Sequence, residues 1–250
     1  MATGLLKFGS YTFPNTFYVA SVGGGNRFGS IESPLSRGSS VGTPVCRLFT
    51  VTVRGMLRAS TPTLMQTAID NLRSALGPSS QKLYMWNDRY CNAIVNNFTH
   101  DYDPTGFSRF CMVTIEFQAY EGVWLSETQS INTWDNPVSG NSQLIVVGGT
   151  APAVPTIIIT LSASGSFDLK FDLGGGKFFT LIGTLGVATT IYVNTTAESV
   201  VISYDGTSRI SFFDGQFLIL PVGNNNLTYT KNSGTATISR IQTVFRNSWY

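Results

Sequence analysis

The sequence is poor in charge, in histidine and in cysteine that could pair, and each shortage removes a class of function. Charged side chains make up 12% of the 250 residues, about half the ~25% usual for soluble domains. Sixteen Lys plus Arg against 14 Asp plus Glu leave a formal charge of +2, a balance that builds no field for a polyanion. The single histidine, His100, cannot furnish a multi-histidine metal cage. The three cysteines, Cys46, Cys91 and Cys111, cannot all pair within one chain, and no Cys-x-x-Cys spacing joins them. They read as small buried apolar residues rather than nucleophiles or ligands. Most metalloenzyme classes are excluded, and neither a metal nor a cofactor is expected. Apolar stretches such as Thr156 to Leu161 are strand-sized, far below the ~18 residues that read as membrane-spanning, so no membrane partner is expected. Residues Met1 to Ser10 carry one lysine and no apolar stretch long enough for a secretory leader, which predicts synthesis in a reducing cytosol.

A length of 250 residues and 27.1 kDa suits one large domain or two medium ones. Phe8 to Tyr18 alternates weakly around Pro14, as a short edge strand or hairpin would. Residues 22–43 form a long arm, rich in Gly and Ser but interspersed with Phe28, Ile31, Leu35 and Val41, apolar anchors that a pure linker does not need. Arg47 to Val53 alternates as a half-buried strand. Thr61 and Pro62 then open a helix whose apolar positions include Leu64, Ala68, Leu72, Ala75 and Leu76, beside Met65 and Ile69, and Gly77-Pro78 stops it. Strand patterns follow at Lys82 to Trp86, Cys91 to Phe98 and Phe110 to Tyr120, the last placing Cys111, Val113, Ile115, Phe117 and Ala119 on one face. One helix packed on an antiparallel sheet is the expected N-terminal domain, residues 1–135.

The Asn, Pro and Gly cluster between Leu125 and Pro155 marks a boundary, read as a linker over 136–155. From residue 156 to 250 no helical period recurs, and short strands with turn signals between them predict an antiparallel β-sandwich. Phe167, Leu169, Phe171 and Leu173 alternate with Asp168, Lys170 and Asp172, while Asp205-Gly206 and Asp214-Gly215 read as hairpin turns. The fold class is mainly β with one helix.

Candidate chemistry is sparse. His100-Asp101-Tyr102-Asp103-Pro104 places imidazole beside carboxylates, but residues adjacent in a turn bond locally or face water, and no second histidine completes a site. Gly174-Gly175-Gly176-Lys177 has the composition of a phosphate loop without the helix that would follow it, so a wide hairpin turn is the reading; Gly23 to Gly25 fails in the same way. There is no Gly-x-Ser-x-Gly elbow. The carboxylates Asp168 and Asp172 mark a solvent face rather than a glycosidase pair. Trp124, Trp134 and Trp249 could stack on a sugar, but tryptophans near a boundary and at the C-terminus more readily cover a junction or a partner. Arg37, Arg47, Arg54 and Arg58 read as surface or interface charges. No catalytic residue is assigned.

The segment Gly148-Gly149-Thr150-Ala151-Pro152-Ala153-Val154-Pro155-Thr156-Ile157, the phrase Phe217-Leu218-Ile219-Leu220-Pro221-Val222-Gly223-Asn224-Asn225-Asn226-Leu227-Thr228-Tyr229 and the closing strand Ala236 to Tyr250 resemble the distal tail proteins of long-tailed, non-contractile bacteriophages. Earlier in the chain, the arm and the helix phrase Ile69-Asp70-Asn71-Leu72-Arg73-Ser74-Ala75-Leu76 are similar to the same family. The resemblance implies a tail-tube-like N-terminal domain, with a sheet or half-barrel, one helix and a long arm, followed by a galectin-like β-sandwich. It implies a structural virion protein that forms a hexameric ring at the tail tip and is assembled in the bacterial cytoplasm. Such a ring would join the tail tube protein to the baseplate hub or tail-tip protein and to receptor-binding or side-fibre proteins, with a channel through which DNA passes. Large inserted carbohydrate-binding modules found in some members have no room here, and the sugar-ligating constellation of galectins is absent from the sandwich. Phe28, Ile31, Leu35, Arg37 and Val41 are the expected subunit-interface residues. Two other readings compete: a tail tube protein with a decorative domain, and a carbohydrate-binding adhesin acting through Trp124, Trp134 or Trp249.

Overall fold

The computed structural model describes residues 6–23, 29–30, 44–45, 49–86, 88–101, 109–120, 122–202 and 206–250. The chain divides into two compact units, Met1–Glu127 together with Tyr250, and Thr128–Trp249.

The first unit contains β1 (Lys7–Phe8), β2 (Tyr11–Thr12), β3 (Tyr18–Gly23), β4 (Gly29–Ser30), β5 (Pro44–Val45), β6 (Phe49–Arg58), α1 (Pro62–Leu76), β7 (Gln81–Trp86), β8 (Arg89–Asp101), β9 (Phe110–Ala119) and β10 (Trp124–Ser126). The main sheet runs β2-β1-β7-β8-β9-β6-β3, and β10 pairs with β8. Every pairing along it is antiparallel. β4 and β5 pair with each other; residues 31–43 between them lie outside the described residues.

Alternation decides which face is buried. Val51 and Val53 of β6 lie beside Phe117 and Ile115 of β9, all inaccessible to solvent, with Cys111, Val113 and Ala119 on the same side. The register of β8 slips between Val95 and Asn97, which brings Phe98 opposite Ile115 on this face. Phe8 meets Phe117 at a ring separation of 4.9 Å, and Phe13 meets Phe17 at 5.4 Å.

The helix covers this face. Thr61 accepts the Leu64 N–H at 3.3 Å through its hydroxyl, Pro62 starts the helix, and Gly77 at φ 52° leaves it. Of the expected apolar positions, Met65, Ile69, Leu72 and Leu76 form the buried face, Ala68 and Ala75 flank it half-buried, and Leu64 lies outside it, exposed. Arg73 stands 5.0 Å from the Phe98 ring, tying the helix to the Ile115 side.

The second unit contains β11 (Ser130–Asp135), β12 (Ser142–Val147), β13 (Thr156–Ala163), β14 (Gly165–Asp172), β15 (Phe178–Leu185), β16 (Thr190–Asn194), β17 (Ser199–Ile202), β18 (Phe213–Gly215), β19 (Gly223–Gly234) and β20 (Thr237–Phe245). They form two five-stranded antiparallel sheets, β11-β20-β13-β16-β17 and β12-β19-β14-β15-β18. One core joins them: Ile157, Ile159, Ile191 and Ile241 from the first sheet pack with Leu169, Phe171, Phe179 and Leu227 from the second.

The expected linker over 136–155 is structured. It carries β12, with Ile145 and Val147 in the core, and β11 before it is the end strand of the first sheet. The alternation is short and sits among turn residues, which is why composition alone reads it as a connection. Arg209 to Phe213 holds a single turn of 3-10 helix over Ile210–Phe212. Gln216 to Leu220 is irregular. It buries Leu218 and Leu220; Gln216 N–H donates to the Phe178 carbonyl, the Leu218 carbonyl accepts from the Thr195 hydroxyl, and Leu220 exchanges two backbone bonds with Ala153 in an isolated bridge. Asp214-Gly215 lies within β18 and is no turn: Gly215 is needed there because a Cβ would meet the backbone of Phe178 and Phe179.

Candidate assembly surface

The sheet face opposite α1 is uncovered among the described residues. Its rows are read from the register: Thr52 opposite Glu116, which faces Asn97, and Arg54 opposite Thr114, which faces Thr99. Hydroxyls and amides dominate, with Arg54, Glu116 and Asp101 dispersed among them.

This sheet also ends in two open edges. β3 pairs with β6 on one side only. At the other end, β7 covers β8 only as far as Ala93, so Ile94 to Asp101 pairs with β9 alone. Among the described residues no strand occupies either outer edge. Tyr18 and Val22 on β3 are about half exposed, and Asn96, Asn97, Thr99, His100 and Asp101 of β8 are exposed.

Where the first unit ends, Glu127 accepts hydrogen bonds from Lys82 Nζ at 3.1 Å and Tyr84 Oη at 2.8 Å, and its N–H donates to the Asp88 carbonyl at 2.8 Å. Burial and the neighbouring Glu127 carboxylate raise the Tyr84 phenol above its usual value. The cluster fixes a strand end and has no nucleophile.

The chemical candidates are scattered. His100 is exposed on β8, its ring edge-on to Phe98 at 6.2 Å. Tyr102, Asp103 and Pro104 lie outside the described residues, as do Cys46, Arg37 and Arg47 and the predicted interface residues Phe28, Ile31, Leu35 and Val41. Cys91 and Cys111 are buried and in no disulfide, and burial pushes the Cys111 thiol upward, away from the reactive thiolate. The triple glycine is a turn between β14 and β15, closed by Leu173 N–H to the Lys177 carbonyl at 2.9 Å. Asp172 accepts the Gly174 N–H at 2.6 Å and pairs with Lys170 at 2.8 Å, which together hold its carboxyl below the usual range. Asp168 instead accepts from Asn232 at 2.9 Å, so the two carboxylates serve separate local contacts. Trp124 is buried against Phe49, Trp134 packs edge-on to Tyr229, and Trp249 is half-buried. No cluster of metal-ligating side chains and no helix long and apolar enough to cross a membrane occurs among the described residues.

Sequence reasoning missed the open stretch of β8. Its signal is present in Asn96-Asn97 and Thr99-His100-Asp101, a polar continuation of an apolar strand.

Residues 148–249 match the family described as siphovirus-type tail component, C-terminal domain. No curated protein sequence matches the chain. Among solved structures, the Dit protein (gp 19.1) of phage SPP1 superposes over 98% of this chain and 99% of its own, at 16% identity and a TM-score of 0.71, and so shares the fold. A chain of the phage P2 baseplate in its activated conformation with Ca aligns over 98% of this chain and 91% of its own, at 11% identity and a TM-score of 0.37, too loose a likeness to carry the fold. Residues 148–249 thus carry a siphovirus-type tail component domain, and the chain, mainly β with one helix among the described residues, shares the fold of the SPP1 Dit protein.

Proposed function

We propose that copies of the chain close head to tail into a ring, six by the family resemblance, at the tip of a long non-contractile tail. The observation that carries this reading is the pair of open edges on one continuous run of strands, β8-β9-β6-β3. An edge offers unpaired N–H and C=O groups, and a sheet with one free edge at each end meets the requirement for a heterologous contact that closes cyclically. β3 of one copy pairs with Ile94 to Asp101 of the next. In the closed sheet the face bearing α1 turns outward, where there is room for the helix. The hydroxyl and amide face lines a central channel, through which DNA passes without a strong field to hold it.

One end of the ring seats on the tail tube protein and the other holds the baseplate hub, while the second units, as galectin-like sandwiches, engage receptor-binding or side-fibre proteins. The SPP1 Dit protein, described as a paradigm of the hub adsorption apparatus in phages infecting Gram-positive bacteria, supports this placement. The arm at 22–43, with Phe28, Ile31, Leu35, Arg37 and Val41, reaches a neighbouring copy.

Light scattering tests the assembly. The purified chain is expected at a multiple of its 27.1 kDa, and deletion of Gly25 to Gly42 is expected to leave folded single copies. An oligomer untouched by the deletion would remove the arm from the reading, and a wild-type chain that stays single would remove the ring.

A further inference from the structure

One corner of the uncovered sheet face has a composition unlike the rest of it. Tyr18 of β3 stands opposite Arg54 of β6, Met56 of β6 opposite Met112 of β9, and Arg58 opposite Phe110. Spacing by two residues puts all six side chains on the same side. Tyr18 is 56%, Met112 48% and Phe110 45% exposed, and both arginines are exposed. The Arg58 guanidinium lies 5.6 Å from the Phe110 ring centroid, and neither Arg54 nor Arg58 takes part in an ion pair among the described residues. Two carboxylates border the corner: Glu116 of β9, diagonal to Arg54, and Asp101 of β8, one strand beyond Met112, and neither forms an ion pair with these arginines among the described residues.

Elsewhere this face carries mostly threonine, asparagine and glutamine, with Glu116 and Asp101 among them. Here Tyr18, Phe110 and Met112 are about half exposed, with the half-buried Met56 beside Met112. Aromatic residues, methionine and arginine are enriched where proteins bind proteins, and lysine and acids are depleted. Methionine pairs adapt to the shape of an incoming side chain.

We propose that this corner docks a protein segment that is acidic and carries apolar side chains: its carboxylates pair with Arg54 and Arg58, and its apolar groups cover Tyr18, Met56, Phe110 and Met112. Charge complementarity selects the acidic partner, because Arg54 and Arg58 form no ion pair among the described residues and Met56, not a carboxylate, stands between them. The apolar majority disfavours nucleic acid, whose phosphates would bury the methionine pair without any compensating contact. The site belongs to a single copy of the chain and does not depend on ring closure.

The test uses the full chain and a fluorescein-labelled peptide of sequence Glu-Leu-Glu-Phe-Glu-Leu-Glu, with a short DNA duplex as the competing polyanion. Saturable peptide binding is expected. It should weaken about tenfold or more in Arg54→Gln/Arg58→Gln and also in Phe110→Ser, and should stay unchanged in Tyr192→Ser on the second unit. Circular dichroism confirms that each variant is folded, and Met112→Ser replaces Phe110→Ser if that variant is not. Absence of peptide binding, binding indifferent to these substitutions, or DNA that binds as tightly as the peptide would each overturn the proposal.

Discussion

The ring of Phe17 occupies the space where a Cβ on Gly55 would stand. Phe17 lies in the turn before β3 and Gly55 in the middle of β6, and Phe17 in turn packs against Phe13. The glycine is there for close approach: it lets an aromatic side chain lie on the strand and seal the core at the sheet's β3 end.

Gly55→Ala is therefore expected to destabilise the first unit by ~1–3 kcal/mol through overpacking. Adding Phe17→Leu should recover part of the loss, since the two sites share one volume. Urea midpoints of the single and double variants measure both effects. An alanine variant as stable as the wild type would contradict this packing.

Acid should unlink the turn at Gly174. Lys170 and the Gly174 N–H hold the Asp172 carboxyl below its usual 3.8, so the charged form is favoured in the folded chain. The contribution to stability is present above that ordinary value and is lost as the pH falls through the depressed folded one. Asp172→Asn is expected to be less stable than wild type near neutrality, and the gap between their urea midpoints is expected to close at the acid end. A gap that persisted unchanged below pH 3.8 would contradict the assignment.

Two side-chain amides protect the end strands of the second unit. Asn132 on β11 donates to the Leu144 carbonyl of β12 at 3.1 Å, and Gln143 on β12 donates to the Thr133 carbonyl of β11 at 2.9 Å. Leu144 and Val146 beside them are 50% and 59% exposed, and β12 carries no charge to discourage a foreign strand. Replacing both amides by alanine is expected to raise light scattering on prolonged incubation below the melting temperature, with a loss of about 1 kcal/mol per hydrogen bond. A double variant that remained as clear as the wild type would show that the edge needs no such protection.

Much of this fold is legible in the residues. Thr61-Pro62 and Gly77 bound the helix, and the alternations at Phe49 to Val53, Cys111 to Ala119 and Phe167 to Phe171 give the buried faces, because cap chemistry and period two are local. What escaped depends on partners distant in sequence. β12 is a strand because β19 pairs with it, and Gly215 serves a close backbone approach that an Asp-Gly dipeptide does not announce. The open edge at Ile94 to Asp101 exists because β7 is shorter than β8, a relation between two elements. Which apolar helix positions are buried depends on how the helix sits over the sheet, so Leu64 stays exposed while Met65, Ile69, Leu72 and Leu76 are covered.

Single-particle class averages of the purified chain test the central claim most directly. Two open edges on one sheet predict closed rings with a central opening, and dissociation when prolines replace Asn97 and Thr99 on the exposed stretch of β8. Separate single copies at micromolar concentration, or open filaments with no closed class, would contradict it.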